Sequence, residues 1–196
     1  MKLSELRALV RGRIRDTVKP YLVTDQEIDD NLNEAEREAC ERAQLIEDFD
    51  SFTIDLEPGV TRYPLDPHII DVIDIKIGTD APRRLMESWT LTETHLVLDR
   101  APTSAEMLTL HCYRTPIDEM KAPTDTPEIR DTYHRNMADW AISLCYLIPD
   151  SELFNPQAAE RYAVRFTQSF GERPSALVRR NQRNKIPPVV AYNGAI

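Results

Sequence analysis

Between residues 3 and 18 the apolar positions Leu3, Leu6, Leu9 or Val10, Ile14 and Val18 return every three or four residues, with Arg7, Arg11, Arg13 and Arg15 around them. That spacing predicts a short amphipathic helix. After Pro20 the run Val23-Thr24-Asp25-Gln26-Glu27-Ile28 reads as a capping box, with Thr24 at the N-cap, Glu27 three positions on, and Val23 and Ile28 placed as a hydrophobic staple. A second helix follows to about Glu47, its stripe formed by Ile28, Leu32, Ala35, Ala39, Ala43 and Ile46. The small alanines let a neighbouring helix come close. Asp29, Asp30, Glu34, Glu36, Glu38 and Glu41 occupy the other faces, and such a charge run predicts a solvated surface.

The period then drops from near four to two. Phe52, Ile54 and Leu56 alternate with Thr53 and Asp55, and Pro58-Gly59 turns the chain towards residues 60–65, which predicts a hairpin. Residues 69–77 hold the β-branched run Ile69, Ile70, Val72, Ile73, Ile75 and Ile77, expected as a strand. Residues 84–91 are ambiguous, whereas 96–98 and 108–112 read as two further strands. An antiparallel sheet is therefore expected at the centre, followed by a polar crossover over 117–126.

Thr126 and Pro127 have the pattern of an N-cap followed by a first helical residue. From there Ile129, Tyr133, Met137, Trp140, Ala141, Leu144 and Leu147 predict a helix ending near Ile148, before Pro149. Asn155-Pro156 repeats the cap signal, and Ala159, Tyr162, Ala163, Phe166 and Phe170 give another stripe, closed by Gly171 as a left-handed cap. Beyond it no stripe persists. Residues 175–182 suffice for a helical turn or two, and Ile186-Pro187-Pro188-Val189-Val190 favours an extended conformation. The fold class that results is α+β: a helical bundle over residues 1–171 with an antiparallel β-sheet inserted at about 51–115, and an extended C-terminal arm over 172–196.

Composition changes this picture mainly through charge. The net charge is -9, but residues 172–196 carry +4, leaving the body at -13. An acidic body argues against wrapping nucleic acid, whose affinity comes from clustered Lys and Arg. The 196 residues are enough for one core without a metal or disulfide. No apolar run reaches the roughly 18 residues of a membrane span, and the charged N-terminus does not read as a signal peptide, so a soluble cytoplasmic protein is expected. Cys40, Cys112 and Cys145 form no C-x-x-C pair and are expected as reduced, buried thiols.

Catalytic and metal chemistry find little support. His68, His95, His111 and His134 lack metal-ligand spacing, and His134, beside Asp131, has no partner that would make a dyad, so it is expected on the surface or as a packed structural side chain. Asp25, Glu27, Asp29 and Asp30 lack the ligand alternation of a calcium loop and are better placed to complement a helix dipole. No phosphate-cradling glycine motif or nucleophile elbow is present. Neither a cofactor nor a metal is expected, and the chain is not expected to be an enzyme.

Several segments taken in order resemble one known family. They are Thr24-Asp25-Gln26-Glu27-Ile28 leading to Asn33-Glu34-Ala35-Glu36-Arg37-Glu38-Ala39, and Glu57-Pro58-Gly59 followed by Tyr63-Pro64-Leu65. Next come Ile69-Ile70-Asp71-Val72, Tyr113-Arg114-Thr115-Pro116, Tyr133-His134 with Asp139-Trp140-Ala141, and Phe170-Gly171-Glu172-Arg173-Pro174-Ser175-Ala176. Over nearly its whole length the chain resembles the head-to-tail adaptor, or connector, proteins of tailed bacteriophages, which dock on the portal. The resemblance implies a dodecameric ring on the portal ring, an extension of the DNA channel, a platform for a tail or nozzle protein, and a place in the virion at the head-tail junction after assembly in the host cytoplasm. DNA would pass through without specific binding, and no membrane would be involved.

On that basis the portal-binding arm is expected to use Arg173, Arg179, Arg180, Arg183, Lys185, Ile186, Val189, Val190 and Tyr192. Asp25, Asp29, Asp30, Glu34 and Glu38, or else acids from the sheet loops, are the candidates to line the channel. A tail-completion or assembly-factor protein contacting a different ring is the alternative, with an uncharacterised enzyme ranked behind it.

Overall fold

A computed structural model of the chain describes residues 1–78, 83–85, 88–149, 151–175 and 178–179. Helix α1 (Leu3–Ile14) and helix α2 (Asp25–Ala43) come first. Seven strands follow: β1 (Ile46–Leu56), β2 (Arg62–Pro64), β3 (Ile69–Ile77), β4 (Arg83–Arg84), β5 (Trp89–Leu91), β6 (His95–Leu98) and β7 (Glu106–Arg114). A 3-10 turn (Asp131–Tyr133) then leads into α3 (His134–Cys145), and α4 (Pro156–Phe170) ends the body. The fold is α+β, as the change of period foretells.

The start of α2 forms as its sequence dictates. Thr24 Oγ1 accepts the Glu27 N–H at 3.2 Å, the Glu27 carboxylate accepts the Thr24 N–H at 2.7 Å, and Val23 and Ile28 are both fully buried beside it. Both early helices stop sooner than their apolar stripes suggest. Arg15 (φ 61°) and Gln44 (φ 51°) take left-handed conformations directly after α1 and α2. The chain therefore turns at once, and β1 starts at Ile46, five residues before the expected edge of the sheet region.

The strands form two antiparallel sheets, where one was expected. The larger has the order β1-β7-β3-β4 and the smaller β2-β6-β5. The Pro58-Gly59 turn exists, with Gly59 at φ 82° and Val60 N–H donating to the Glu57 carbonyl at 3.1 Å, but it does not close a hairpin. β1 pairs with β7 and β2 with β6, so the two arms of the turn enter different sheets. The ambiguous stretch contributes β4 and β5.

A second correction concerns the start of the helical hairpin. Thr126-Pro127 does not cap a helix: α3 begins seven residues after Pro127, at His134. Residues 127–130 are instead held by hydrogen bonds to other parts of the chain: the Ile129 N–H donates to Glu36 Oε1 at 3.2 Å, and Glu128 Oε1 accepts the Ile117 N–H at 2.8 Å. The cap at α4 holds, with Asn155 Oδ1 accepting the Ala158 N–H at 3.0 Å. Gly171 closes α4 with φ 82° but ψ 177°, which is not the left-handed helical region and is open essentially to glycine alone.

Two apolar cores result. Leu3, Leu6, Ile28, Leu32, Met137, Ile142 and Phe166 anchor the helical one, in which α3 packs on α1, α2 and α4. Ile75, Leu96, Leu108 and Leu110 anchor the one between the sheets. All three cysteines are buried free thiols. No helix of the described residues is long and apolar enough to cross a membrane.

Candidate docking site at the root of the C-terminal arm

Where α2 and α4 both end, the carbonyls of two helix C-termini face the same space, which favours a cation. Arg42 supplies it. Its Nε donates to Glu38 Oε1 at 2.8 Å, and its Nη1 donates to Thr167 Oγ1 at 2.9 Å and to the Gly171 carbonyl at 3.2 Å. Its guanidinium lies 4.9 Å from the Trp140 ring centroid and 5.0 Å from that of Phe166. One buried side chain thus joins α2, α3, α4 and the residue from which the arm departs.

The first residues of the arm continue this arrangement. Arg173 Nη1 sits 3.5 Å from Glu38 Oε2, and Arg179 pairs with the Glu41 carboxylate and donates to the Glu41 carbonyl at 3.3 Å. Arg179 N–H also donates to the Ser175 carbonyl at 3.0 Å, a helical turn of the kind expected there. A groove of about 140 Å³ opens between this segment and the larger sheet, lined by Glu41, Arg42, Gln44, Ile70, Asp71, Pro174 and Arg179. Of the residues expected in the arm, the structure thus places Arg173 and Arg179 against α2. Arg180, Arg183, Lys185, Ile186, Val189, Val190 and Tyr192 lie outside the described residues.

The acids of α2 are not the uniformly solvated face expected from their run of charge. Asp29, Glu36 and Glu38 are buried and Glu41 is half-buried. Asp29 takes a bidentate pair from Arg7, with Nε to Oδ1 at 2.9 Å and Nη2 to Oδ2 at 2.6 Å. Asp25 is shared by Arg11, at 2.5 Å, and Arg7, at 3.3 Å, and the Arg11 hydrogen bond holds its carboxyl below the usual range. Among the described residues Asp30 and Glu34 make no ion pair; Asp30 accepts only from Gln26, at 2.8 Å. Three of the five channel candidates are therefore engaged within the chain, and two are open to an outside partner.

A further polar layer joins the helices to the larger sheet, and sequence reasoning did not find it. Arg114 Nε donates to Asp48 Oδ2 at 2.9 Å and its Nη1 to Glu128 Oε2 at 2.6 Å, close to the buried Glu36 carboxyl. Asn33 clamps the crossover, accepting the Met120 N–H at 2.9 Å and donating to the Met120 carbonyl at 3.1 Å. At the Arg42 junction, by contrast, one local signal existed: Glu38 four residues earlier on the same helix. His134 is the packed structural alternative: it is 1% exposed, with Nε2 2.8 Å from the Ile129 carbonyl and Nδ1 2.6 Å from the Met1 amino group. Among the described residues no group of His, Cys, Asp and Glu has the geometry of a metal site.

What this arrangement can do is hold and present a segment; it gathers no nucleophile and base for a reaction. Compared with known proteins, residues 1–190 match the family described as SU10 adaptor protein. No curated protein matches the chain.

Proposed function

The chain belongs to the SU10 adaptor protein family, and from that premise we propose that it is a structural protein of the bacteriophage virion that sits at the head-to-tail junction, binding the portal ring through its C-terminal arm. It acts as an oligomeric ring, the dodecamer of the resemblance above, prolongs the DNA channel and gives the tail or nozzle protein its platform. Assembly takes place in the host cytoplasm, and DNA passes through without being bound specifically.

The observation that carries this reading is the root of the arm. A basic segment leaves an acidic body at Gly171, and its first arginines are held against Glu38 and Glu41 by a helix junction whose own cation, Arg42, is buried. A segment with charge and apolar side chains but no stripe of its own folds against a partner that supplies the missing core, and a ring of copies multiplies weak single contacts into a stable attachment. The acidic body supports the channel role, because carboxylates repel phosphate and leave DNA free to slide.

The test is assembly on purified portal rings, observed by electron microscopy and sedimentation, for the full chain and for a chain ending at Arg173. The shortened chain is expected to fold but to lose stable attachment; normal assembly without the arm would overturn the proposal.

A further inference from the structure

Among the described residues six exposed arginines of the helical body take part in no ion pair: Arg130 and Arg135 before and at the start of α3, and four that stand together elsewhere. Arg13 in α1, Arg15 just after it, and Arg161 and Arg165 in α4 are all exposed and take part in none of the ion pairs among the described residues. They border one seam, because α1 and α4 both pack on α3. Asp139 of α3 feels the charge of Arg165 and Arg13, and Tyr146 that of Arg15 and Arg161. Tyr146 also stacks on Tyr162 at 6.0 Å, over which Arg165 lies at 5.1 Å.

Within this basic strip stand exposed apolar side chains. Arg161, Val164, Arg165 and Gln168 share one helical face with Glu160, and Val164 is 48% exposed at its centre. Phe154 and Leu147, in the turn between α3 and α4, are 52% and 45% exposed. An apolar centre with a charged border is the usual make-up of a protein contact. The outer face of α2 is of the opposite sign. Asp30 and Glu34 stand one helical turn apart on it and, among the described residues, pair with no cation; Glu27 precedes them. Both faces are exposed, and among the described residues no ion pair joins them within one molecule.

We propose that the α4–α1 strip of one copy packs on the α2 face of the next, with Val164 at the centre of the contact and Arg161 and Arg165 facing Asp30 and Glu34. Two different faces meeting in this way form a heterologous contact, which closes into a ring when the rotation between copies closes. The inference rests on the oligomeric reading above and adds which surfaces meet. Phosphate is the poorer occupant of the strip, since Glu160 lies on the same face and the chain as a whole carries a net charge of -9.

Cross-linking tests it on the full chain, because the native thiols are all buried. A double variant Gln26→Cys, Gln168→Cys, at exposed positions one helical turn from Asp30 and from Val164 and Arg165, treated with a short bis-maleimide alone and with portal rings present, is expected to give a ladder beyond dimers, while either single variant stops at dimers. Adding Arg161→Glu and Arg165→Glu should weaken the ladder about tenfold, as should high salt, and Asp30→Lys in that background should restore it. Absence of a ladder in both conditions, or a ladder indifferent to the charge reversals, overturns the contact. So does a reversal that leaves cross-linking intact but lowers retention on DNA. Portal docking without a ladder removes this contact and keeps the adaptor function, whereas a ladder without docking does the opposite.

Discussion

Glu36 shows how far a single side chain can depart from what its neighbours in sequence promise. It lies in a run of acids, yet it is 2% exposed and its carboxyl accepts the N–H of Ile129 from the crossover. Burial pushes its pKa up from 4.5 to about 7, with the nearby Glu128 adding to the rise, and with the Ile129 and Glu128 N–H groups and Arg114 opposing it. An acid whose folded pKa lies above its unfolded value binds more protons when folded. Its contribution is therefore full below about pH 4.5 and is lost as the pH rises towards 7. Glu36→Gln keeps the acceptor without the charge, so it is expected to be more stable than the native chain at pH 8, by on the order of 1–3 kcal/mol, and equal to it near pH 4.5. Thermal melts across that range check this; parallel curves for the two proteins would refute it. The buried setting of Glu36 was not legible in the sequence, because the segment it meets, at Ile129, lies 93 residues further on.

At the scale of elements, β1 depends on one aspartate. Its register against β7 shifts between Asp48 and Phe52, and across that bulge Asp48 Oδ1 accepts the N–H groups of Ser51, at 2.9 Å, and Asp50, at 3.3 Å. The other oxygen of Asp48 holds Arg114 of β7, which reaches on to Glu128. Asp48→Ala would remove one of the two acids that hold a mostly buried guanidinium and would uncap the bulge. A loss of about 3 kcal/mol is expected in urea denaturation, with Asp48→Asn losing less because it still accepts hydrogen bonds. Equal stability of all three proteins would show that the bulge needs no such support. The elements that the sequence predicts well, the starts of α2 and α4 and the strands β3, β6 and β7, carry their own caps or alternation within a few residues. Residues 127–130 and the β1–β2 turn were misread for the converse reason: Glu36 decides the first, and pairing with β6 and β7 decides the second.

For the molecule as a whole, the distribution of charge limits where a DNA channel could run. Asp25, Asp29 and Glu38 are neutralised by Arg7, Arg11, Arg42 and Arg173, so they can repel phosphate only weakly. Exposed acids that make no ion pair among the described residues occur in the sheet region: Asp55, Glu57 and Asp99 lie near one end of it, where the Gly59 N–H donates to the Pro102 carbonyl at 3.0 Å. Under the adaptor reading these are the stronger candidates to face the lumen. Phage particles carrying Asp55→Lys, Glu57→Lys and Asp99→Lys are expected to eject DNA more slowly, by an amount that shrinks as salt screens the new charges. Unchanged ejection kinetics would remove these residues from the channel.

The sequence by itself determined the α+β class, the best-capped helix starts, the central strands, the break at Gly171 and the opposition of acidic body and basic arm. These are properties of short windows of chain or of plain composition. The tertiary structure decided which acids are free and which are spent on arginines, the division of the strands into two sheets, and the exposed strip on α4. Those depend on contacts between residues tens of positions apart, where burial and geometry outweigh local propensity. The same packing that hides Glu36 and Asp29 leaves Asp30, Glu34, Arg161 and Arg165 exposed and, among the described residues, outside any ion pair.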